Sequence, residues 1–485
     1  MPTWIMVGTA VLALVLYLPW LAVGLCVVAL ALQIAVIAAR VVSGVLRPCA
    51  DQTSGRGASG APQVFSVHVA THEEPPELVI ATLRSLAAQT WPQDCYEVIV
   101  IDNNTADPAL WRPVERACAT MGPQFRFMHR MGVKGAKAGA LTIALAERRH
   151  DTTHIVTVDA DYVCTPHFLS SAADALTRTG ADYVQFPQAY RGAASLAGGI
   201  GTELEEYFRT HATVADGAEA VLLTGTLSVV SVEALHGAGG WSARTITEDA
   251  ELGVRLCHGA YVGRYVAEVV GKGLLPLSLG DLQQQRYRWT RGNLQALWQH
   301  AALLIAPGAG LSLRQRAAIL TQLTAWLNLS MLPGLALVLA LLTNRAPDSL
   351  VWIAAASVIL GLCDILLRLS LRGWRDSTRP RPLLAAICNR LALTPVAARA
   401  SLDALTGRKA TFRVTDKSGN GPRTADLPLA QAALFAIALI AVIPAAASGP
   451  MAMAAIFTLM LPLPAALVTA RTLKRYRAAV QEGQR

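Results

Sequence analysis

HIVTVDAD, residues 154–161, is a short β-branched run that ends in two carboxylates one residue apart. Runs of this length and composition form buried strands. Three others share the pattern: VFSVHVAT (64–71), YEVIVID (96–102) and ADYVQF (181–186). Between them lie helical stretches such as ELVIATLRSLAAQ (77–89), which opens after Pro75-Pro76, and KAGALTIALAERR (137–149). The alternation predicts an α/β domain on a mostly parallel sheet, running from about Asp51 to His300. Ligands of such sheets sit beyond the carboxyl ends of the strands. What stands there is polar: THEE (71–74), Asp102-Asn103-Asn104, and Asp159-Ala160-Asp161.

Outside this middle region the chain turns apolar. At 485 residues, 53% hydrophobic and only 15% charged, it is too apolar for an ordinary soluble enzyme. The first apolar run, Trp4 to Ala39, contains no charged residue. It would be roughly 54 Å long if wholly helical, too long for one perpendicular span and barely enough for two. Pro19 is a candidate turn, so residues 1–47 are expected to form an anchor of one long or two short helices. With no basic segment before it, this run does not resemble a cleavable signal. Four further spans are expected at about Ala317–Leu342, Leu350–Leu371, Leu429–Ala447 and Met451–Ala470. Loops within each pair are short and nearly uncharged, whereas 372–428 and the tail RTLKRYR (471–477) are basic. By the positive-inside rule the basic segments and the middle domain face the cytoplasm. The net charge of +9 is therefore mostly topological, and no nucleic-acid partner is expected. Asp364 and Arg368 lie four apart in the second of these spans and would share a helix face, as a structural pair or as the lining of a polar channel. The eight cysteines are scattered singly, which suggests neither a disulfide framework nor a zinc site.

Two acidic clusters and one mixed cluster carry the chemistry. Asp159 and Asp161 stand at a strand end, where a turn beginning at the second aspartate lets both address one ligand. Hard carboxylate oxygens there suit Mg²⁺ or Mn²⁺ bridging a diphosphate. Thr247-Glu248-Asp249 precedes the helical stretch AELGVRLCHG (250–259), where Thr247 or Asp249 could equally serve as a helix cap. DLQQQRYRWTRG (281–292) crowds three glutamines, three arginines, a tyrosine and a tryptophan just before the membrane spans. Composition alone would allow an interfacial Trp and Arg belt.

The ordered series Asp102, Asp159-x-Asp161, Thr247-Glu248-Asp249 and Gln285-Arg286-Tyr287-Arg288-Trp289 resembles the D, DxD, (T/E)ED, Q-x-x-R-W motifs of membrane-embedded family 2 glycosyltransferases that polymerise sugars, including bacterial cellulose, hyaluronan and chitin synthases. TFRVTDKSG (411–419) resembles the F-x-V-T-x-K gating loop of bacterial cellulose synthase through Phe412, Val414, Thr415 and Lys417. The first acidic motif departs from that pattern: IDNNT (101–105), WRPVE (111–115) and GKGLLP (271–276) look closer to curdlan and cyclic β-glucan synthases. The chain also ends soon after its last expected span, so no cyclic-di-GMP-binding PilZ domain is expected.

The resemblance implies a GT-A-like nucleotide-diphospho-sugar transferase domain, cytoplasmic, inserted between N-terminal and C-terminal transmembrane helices. The expected layout is an anchor (1–47), the transferase domain (48–300), an interface helix with two spans (301–371), a cytoplasmic interface helix with the gating loop (372–428), and a hairpin with a basic tail (429–485). It implies a processive inverting β-glycosyltransferase using a UDP-sugar, UDP-glucose above all, to build a β-glucan of cellulose-like or curdlan-like linkage. A chitin, hyaluronan or mannan-type synthase, or a non-processive transferase acting on a lipid or oligosaccharide, is the alternative. Asp249, beside Glu248, would be the catalytic base, inverting the anomeric centre as the acceptor hydroxyl attacks. Asp161, with Asp159 nearby, would hold Mg²⁺ or Mn²⁺. Thr71, Glu73, Asp102, Lys137, Gln285 and Arg288 would border the nucleotide and its phosphates. Trp289 would be the sugar platform, with Thr224, Gly225 and Thr226 lining the acceptor and TELEEYFRTHA (202–212) close to its end. Phe412, Val414, Thr415 and Lys417 would close over bound donor. Partners would be the UDP-sugar, the growing polysaccharide, membrane lipid and accessory export subunits, at the bacterial cytoplasmic membrane.

Overall fold

The structure, a computed structural model, describes residues 3–45, 63–192, 198–306, 308, 310–375, 380–407 and 428–483. At its centre is a seven-stranded mixed sheet. Its strands are β1 (Phe65–Thr71), β2 (Tyr96–Asn103), β3 (Phe125–Arg130), β4 (His154–Thr157), β6 (Tyr183–Gln185), β7 (Ser228–Ser231) and β8 (Gly263–Tyr265), in the order β3-β2-β1-β4-β7-β6-β8. β5 (Val163–Cys164) and β9 (Gly271–Lys272) form a separate antiparallel pair. β3, β2, β1 and β4 run parallel, while β7 runs antiparallel to both β4 and β6. Parallel strands covered on both faces read as near-continuous apolar runs, and every residue of β2 is buried. The short strands β3 and β7 lack such a run: FRFMHR carries three polar residues and SVVS is four residues long.

Helices close both faces. Pro76–Ala87 starts with a proline at its first turn, where no N–H is needed, and buries Leu78, Val79, Leu83 and Leu86 at helical spacing. It shares one core with Phe65, Val98, Phe168 and Phe186. Ala136–Ala146 covers the opposite face through Ala140 and Ala144 against Ile99 and Ile101. The register Thr71↔Asp102 aligns the carboxyl ends of β1 and β2, and Val158 N–H extends the β4 alignment to His68 O (3.1 Å).

Around this domain stand the apolar helices. The N-terminal run divides at Leu18 into Thr3–Tyr17 and Pro19–Val45, because Pro19 has no N–H to continue the first helix. Four segments among the described residues are long and apolar enough to cross a membrane: Pro19–Val41, Asp348–Leu369, Pro380–Leu405 and Pro450–Glu482. The pair Leu429–Ile440 and Val442–Ser448 is bent by 52°. Pro380–Leu405 packs on Gly198–Tyr207 and on Leu279–Gln299 of the sheet domain, and it buries Asn389, Ser401 and Asp403.

The span expected at 317–342 is corrected: the helix Leu313–Leu323 stops, and a new helix begins at Met331. The reason is polar. Gln322 hydrogen-bonds Leu222 N (3.0 Å) and Ala220 O (2.9 Å), tying the first piece to the sheet domain. Asn328 Oδ1 then accepts from Ser330 N and Oγ, which holds the backbone out of helix. Asp364 does pair with Arg368 (3.2 Å), but its shorter bond is to Arg40 of the N-terminal helix (2.8 Å).

Candidate active site

A cleft of about 440 Å³ opens at the carboxyl edge of β1, β2 and β4. Its walls carry Thr71, Lys137, Asp159, Asp161, Thr224, Gly225, Glu248, Asp249, Gln285, Arg288 and Trp289, so segments more than two hundred residues apart in sequence meet in one space.

Lys137 is the hub. Gly135 at φ +84° turns the chain into the helix that carries it, and its Nζ donates to Asp159 Oδ1 (2.5 Å) and to Gly225 O (2.8 Å). Burial disfavours the ammonium, but Asp159, Glu248 and Asp249 outweigh it and hold the Lys137 pKa above its ordinary value. Burial raises the carboxyl of Glu248. Asp249 is pushed up to about 7, first by burial and then by the charge of Glu248 beside it, against the pull of Lys137. Gly225, at φ +82°, passes so close that a Cβ there would lie 2.7 Å from Asp249 Oδ2. Only glycine fits both the conformation and the approach.

The two aspartates of the D-x-D pair have different surroundings. The turn begins at Asp159, whose carbonyl accepts from Tyr162 N (3.1 Å), two positions earlier than the sequence suggested. Asp159 Oδ1 faces Lys137, and its N–H donates to the buried Thr226 hydroxyl (3.0 Å). Asp161 is 5% exposed, and its Oδ2 accepts from Leu274 N (3.1 Å). Two hard carboxylates facing an aqueous cleft fit a small divalent cation that completes its shell with water and phosphate oxygens. Among the described residues no group of three or more His, Cys, Asp or Glu forms an all-protein cage.

Some expected site residues lie off the wall. Asp102 is 3% exposed beneath the cleft; its Oδ1 accepts from Thr71 (3.1 Å) and Thr105 (2.7 Å), and its Oδ2 meets His129 Nδ1 (2.7 Å). It braces the loop through Thr71. Glu73 is exposed at φ +53°, and its N–H donates to Thr105 (2.9 Å). Thr226 is fully buried and supports Asp159 from behind. Thr247 holds the N-cap position of the Glu248–His258 helix without a side-chain capping bond, so its hydroxyl is not spent on the cap. Phe412, Val414, Thr415 and Lys417 fall outside the described residues.

Trp289 stands on the Leu279–Gln299 helix, which Ser278 caps by accepting from Asp281 N (3.1 Å). Its ring lies 5.3 Å from that of Trp326, and Trp326 stacks on Tyr207 at 5.3 Å. Arg286 lies over both indoles, 4.6 Å from Trp289 and 4.2 Å from Trp326, and pairs with Glu203 at 3.0 Å. A smaller cavity of about 50 Å³, bounded by Tyr207, Leu223, Asp249, Trp289 and Trp326, continues from the cleft along these rings. The sequence reading missed Trp326, together with Gln188 and Tyr190 on the cleft wall. The one signal for Trp326 was TAWLNLS (324–330), a polar interruption in an otherwise apolar run.

Carboxylates at the parallel-strand ends, a half-buried lysine between them and an acidic helix start facing them define a GT-A-like nucleotide-sugar transferase fold. The mannosyltransferase PcManGT from Pyrobaculum calidifontis, solved in complex with GDP-Man and Mn²⁺, superposes with a TM-score of 0.52 at 17% identity, over 79% of this chain and 100% of that one. Residues 66–237 match the model of glycosyl transferase family 2, and 154–371 that of glycosyl transferase family group 2. Residues 66–371 thus carry family 2 glycosyl transferase domains. It is 29% identical over 253 residues to the probable glucomannan 4-beta-mannosyltransferase 7 of Oryza sativa subsp. japonica (50% of this chain, 42% of that protein). It is 28% identical over 261 residues to the cellulose synthase catalytic subunit [UDP-forming] of Xanthomonas axonopodis pv. citri (52% and 34%). The chain thus spans less than half the length of these two relatives.

Proposed function

We propose that this chain is a processive inverting β-glycosyltransferase. It polymerises sugar from a UDP-sugar, UDP-glucose above all, into a β-glucan at the cytoplasmic face of a bacterial membrane, and passes the product among its apolar helices. The observation that carries the reading is the convergence of Asp249, Lys137, the Asp159/Asp161 pair and Trp289 on one cleft that runs on into an aromatic series. A base, a phosphate-side cluster and a sugar-stacking surface are the three parts that glycosyl transfer to a sugar acceptor requires.

In this scheme Asp249 accepts the proton of the acceptor hydroxyl. The oxygen forms its bond to the anomeric carbon while the bond to the nucleoside diphosphate breaks on the opposite face, inverting the centre. A carboxyl at about 7 is poised for this, being ionised in a large fraction of molecules near neutral pH and basic enough to take the proton. Asp159 and Asp161 would hold Mg²⁺ or Mn²⁺, which when bound would supply positive charge beside the leaving diphosphate. Lys137 and Arg288 stabilise the same developing charge, Gln285 and Thr71 border the donor, and Trp289 carries the terminal sugar, with Trp326 and Tyr207 behind it. Phe412, Val414, Thr415 and Lys417 act as the lid.

The test is synthesis by the full chain in nanodiscs from labelled UDP-glucose, with GDP-mannose in parallel because the relatives' names include mannosyltransferases. Long β-glucan from UDP-glucose, resolved by sizing and linkage-specific glucanases, is the expected result. Single-sugar transfer would overturn processivity, and polymer from GDP-mannose alone would overturn the donor.

A further inference from the structure

Behind Trp326, on the side away from Asp249, lies a second cavity where the transferase domain meets the apolar helices. Its walls carry four arginines, Arg40, Arg286, Arg368 and Arg390, against two acids, Glu203 and Asp364. Each acid is already shared. Asp364 takes Arg40 (2.8 Å) and Arg368 (3.2 Å), and Glu203 takes Arg286 (3.0 Å) and Arg390 (3.0 Å). Glu206 stands near Arg390 behind the wall, and even with its charge counted the cations are in excess.

The guanidinium groups are not saturated. Within the described residues, Arg40 Nε and Arg368 Nη1 are buried with no hydrogen-bond partner, as are Arg286 Nε and Nη1, although the Arg286 group also lies over two indoles. Buried N–H donors of a cation that find no acceptor are costly. An anionic acceptor relieves both the missing bonds and the charge excess, whereas a neutral hydroxyl relieves only the first. The cavity offers about 60 Å³, several times the roughly 10–15 Å³ that one water needs. That is room for a phosphoryl group and its bridging waters.

Its position says where the anion comes from. Gln33, Val36, Ile37 and Arg40 of Pro19–Val45 form one wall, and that helix carries its exposed Leu25, Val28, Leu32 and Ile34 outward. Arg40 and Arg368 both lie toward the C-terminal ends of their helices, on the side of the transferase domain. The unwound Thr324–Ser330 segment lines the opposite wall through Trp326, Asn328 and Ser330. Non-helical backbone at membrane depth persists where it lines a polar cavity, and basic pockets between helices on the cytoplasmic side take lipid phosphates. We infer that this cavity is a binding site for a phosphoryl group, supplied by an anionic membrane lipid and held by Arg40 and Arg368. The inference rests on the membrane placement proposed above but not on the donor or the polymer.

The full chain, purified in neutral detergent and stripped of lipid, is titrated with dioctanoyl phosphatidic acid, dioctanoyl phosphatidylcholine or inorganic phosphate while its melting temperature is followed. Phosphatidic acid should raise the melting temperature in a saturable way and phosphatidylcholine should not. Arg40→Gln and Arg368→Gln should each raise the half-saturating concentration about tenfold, the loss of roughly one charge-assisted bond, with UDP affinity unchanged. Arg40→Lys should stay within about threefold. Equal shifts with both lipids, no shift at all, or shifts indifferent to both glutamine variants would overturn the site. An inorganic phosphate response equal to that of phosphatidic acid, and lost in the variants, would keep the phosphoryl site and overturn its lipid source. Recovery of the chain in the soluble fraction without detergent would overturn the membrane placement instead, since the phosphate arm needs no bilayer.

Discussion

The cleft and the cavity behind Trp326 are separated by two indoles 5.3 Å apart, yet their charge balances are opposite. The cleft sets Lys137 and Arg288 against Glu74, Asp159, Asp161, Glu248 and Asp249. The cavity sets four arginines against two acids. An acid-rich site raises the basicity of its own carboxylates and attracts cations, so it can host a base and a metal-bound diphosphate. A guanidinium-rich site does not shed its charge by titration and is relieved by an anion instead. On the proposed reading the same fold places proton chemistry on one side of an aromatic partition and anion recognition on the other.

The sharpest way to break this comparison is to remove the base. Asp249→Asn should lower sugar transfer by about 10²–10⁴-fold while UDP affinity, read by calorimetry, stays near that of the parent; substantial residual turnover would remove Asp249 from the role. Next in size is the partition itself. Glu203 holds Arg286 and Arg390 at 3.0 Å each and accepts from Asn389, and it is 1% exposed. Glu203→Ala leaves two buried guanidinium groups without their shared acid and should cost about 3–5 kcal/mol, visible as a lowered unfolding midpoint in detergent. Asp161→Ala should then weaken nucleotide binding about tenfold or more with Mg²⁺ or Mn²⁺ present and little in EDTA, a difference that a purely structural loss would not show.

The smallest effect concerns pH. The ionised form of Asp249 gains over the neutral form as pH rises through about 7, so turnover should climb across that range. Lys137 pulls the Asp249 value down, so Lys137→Met should move the acid limb to higher pH as well as lowering the rate. Stability runs the other way. As pH falls through about 7 the folded chain binds a proton at Asp249 that the unfolded chain binds only near the ordinary value of about 3.9. Folding is therefore favoured by acidification in that window, as far as this group is concerned.

Much of the cleft was legible because its chemistry is local in sequence. D-x-D follows its strand directly, Glu248-Asp249 opens its helix, and Gln285 to Trp289 share one helix. What was not legible came from packing across distance. Asp102 reads as a ligand residue until its oxygens are seen to be taken by Thr71, Thr105 and His129. Trp326 meets Tyr207 and Trp289 only because the Leu313–Leu323 helix is bonded to the sheet domain. The apolar composition of 317–342 concealed that break, since hydropathy averages over a window and five polar side chains among so many leucines and alanines lower it too little. β3 and β7 were missed for the converse reason, being too polar or too short to announce a strand.

The unwound Thr324–Ser330 segment has a mechanical meaning. On one side it continues from Gln322, bonded to Ala220 and Leu222 of the transferase domain. On the other it leads to a helix whose Gly334 lies so close to Leu459 that a Cβ would come within 2.7 Å of it. The Leu313–Leu323 and Met331–Thr343 helices are thus joined by a few residues without helical stiffness, which leaves their axes free to differ in direction there. Trp326 sits in that joint with its indole packed on Tyr207 and Trp289, so a tilt of one helix against the other would shift the ring against both partners.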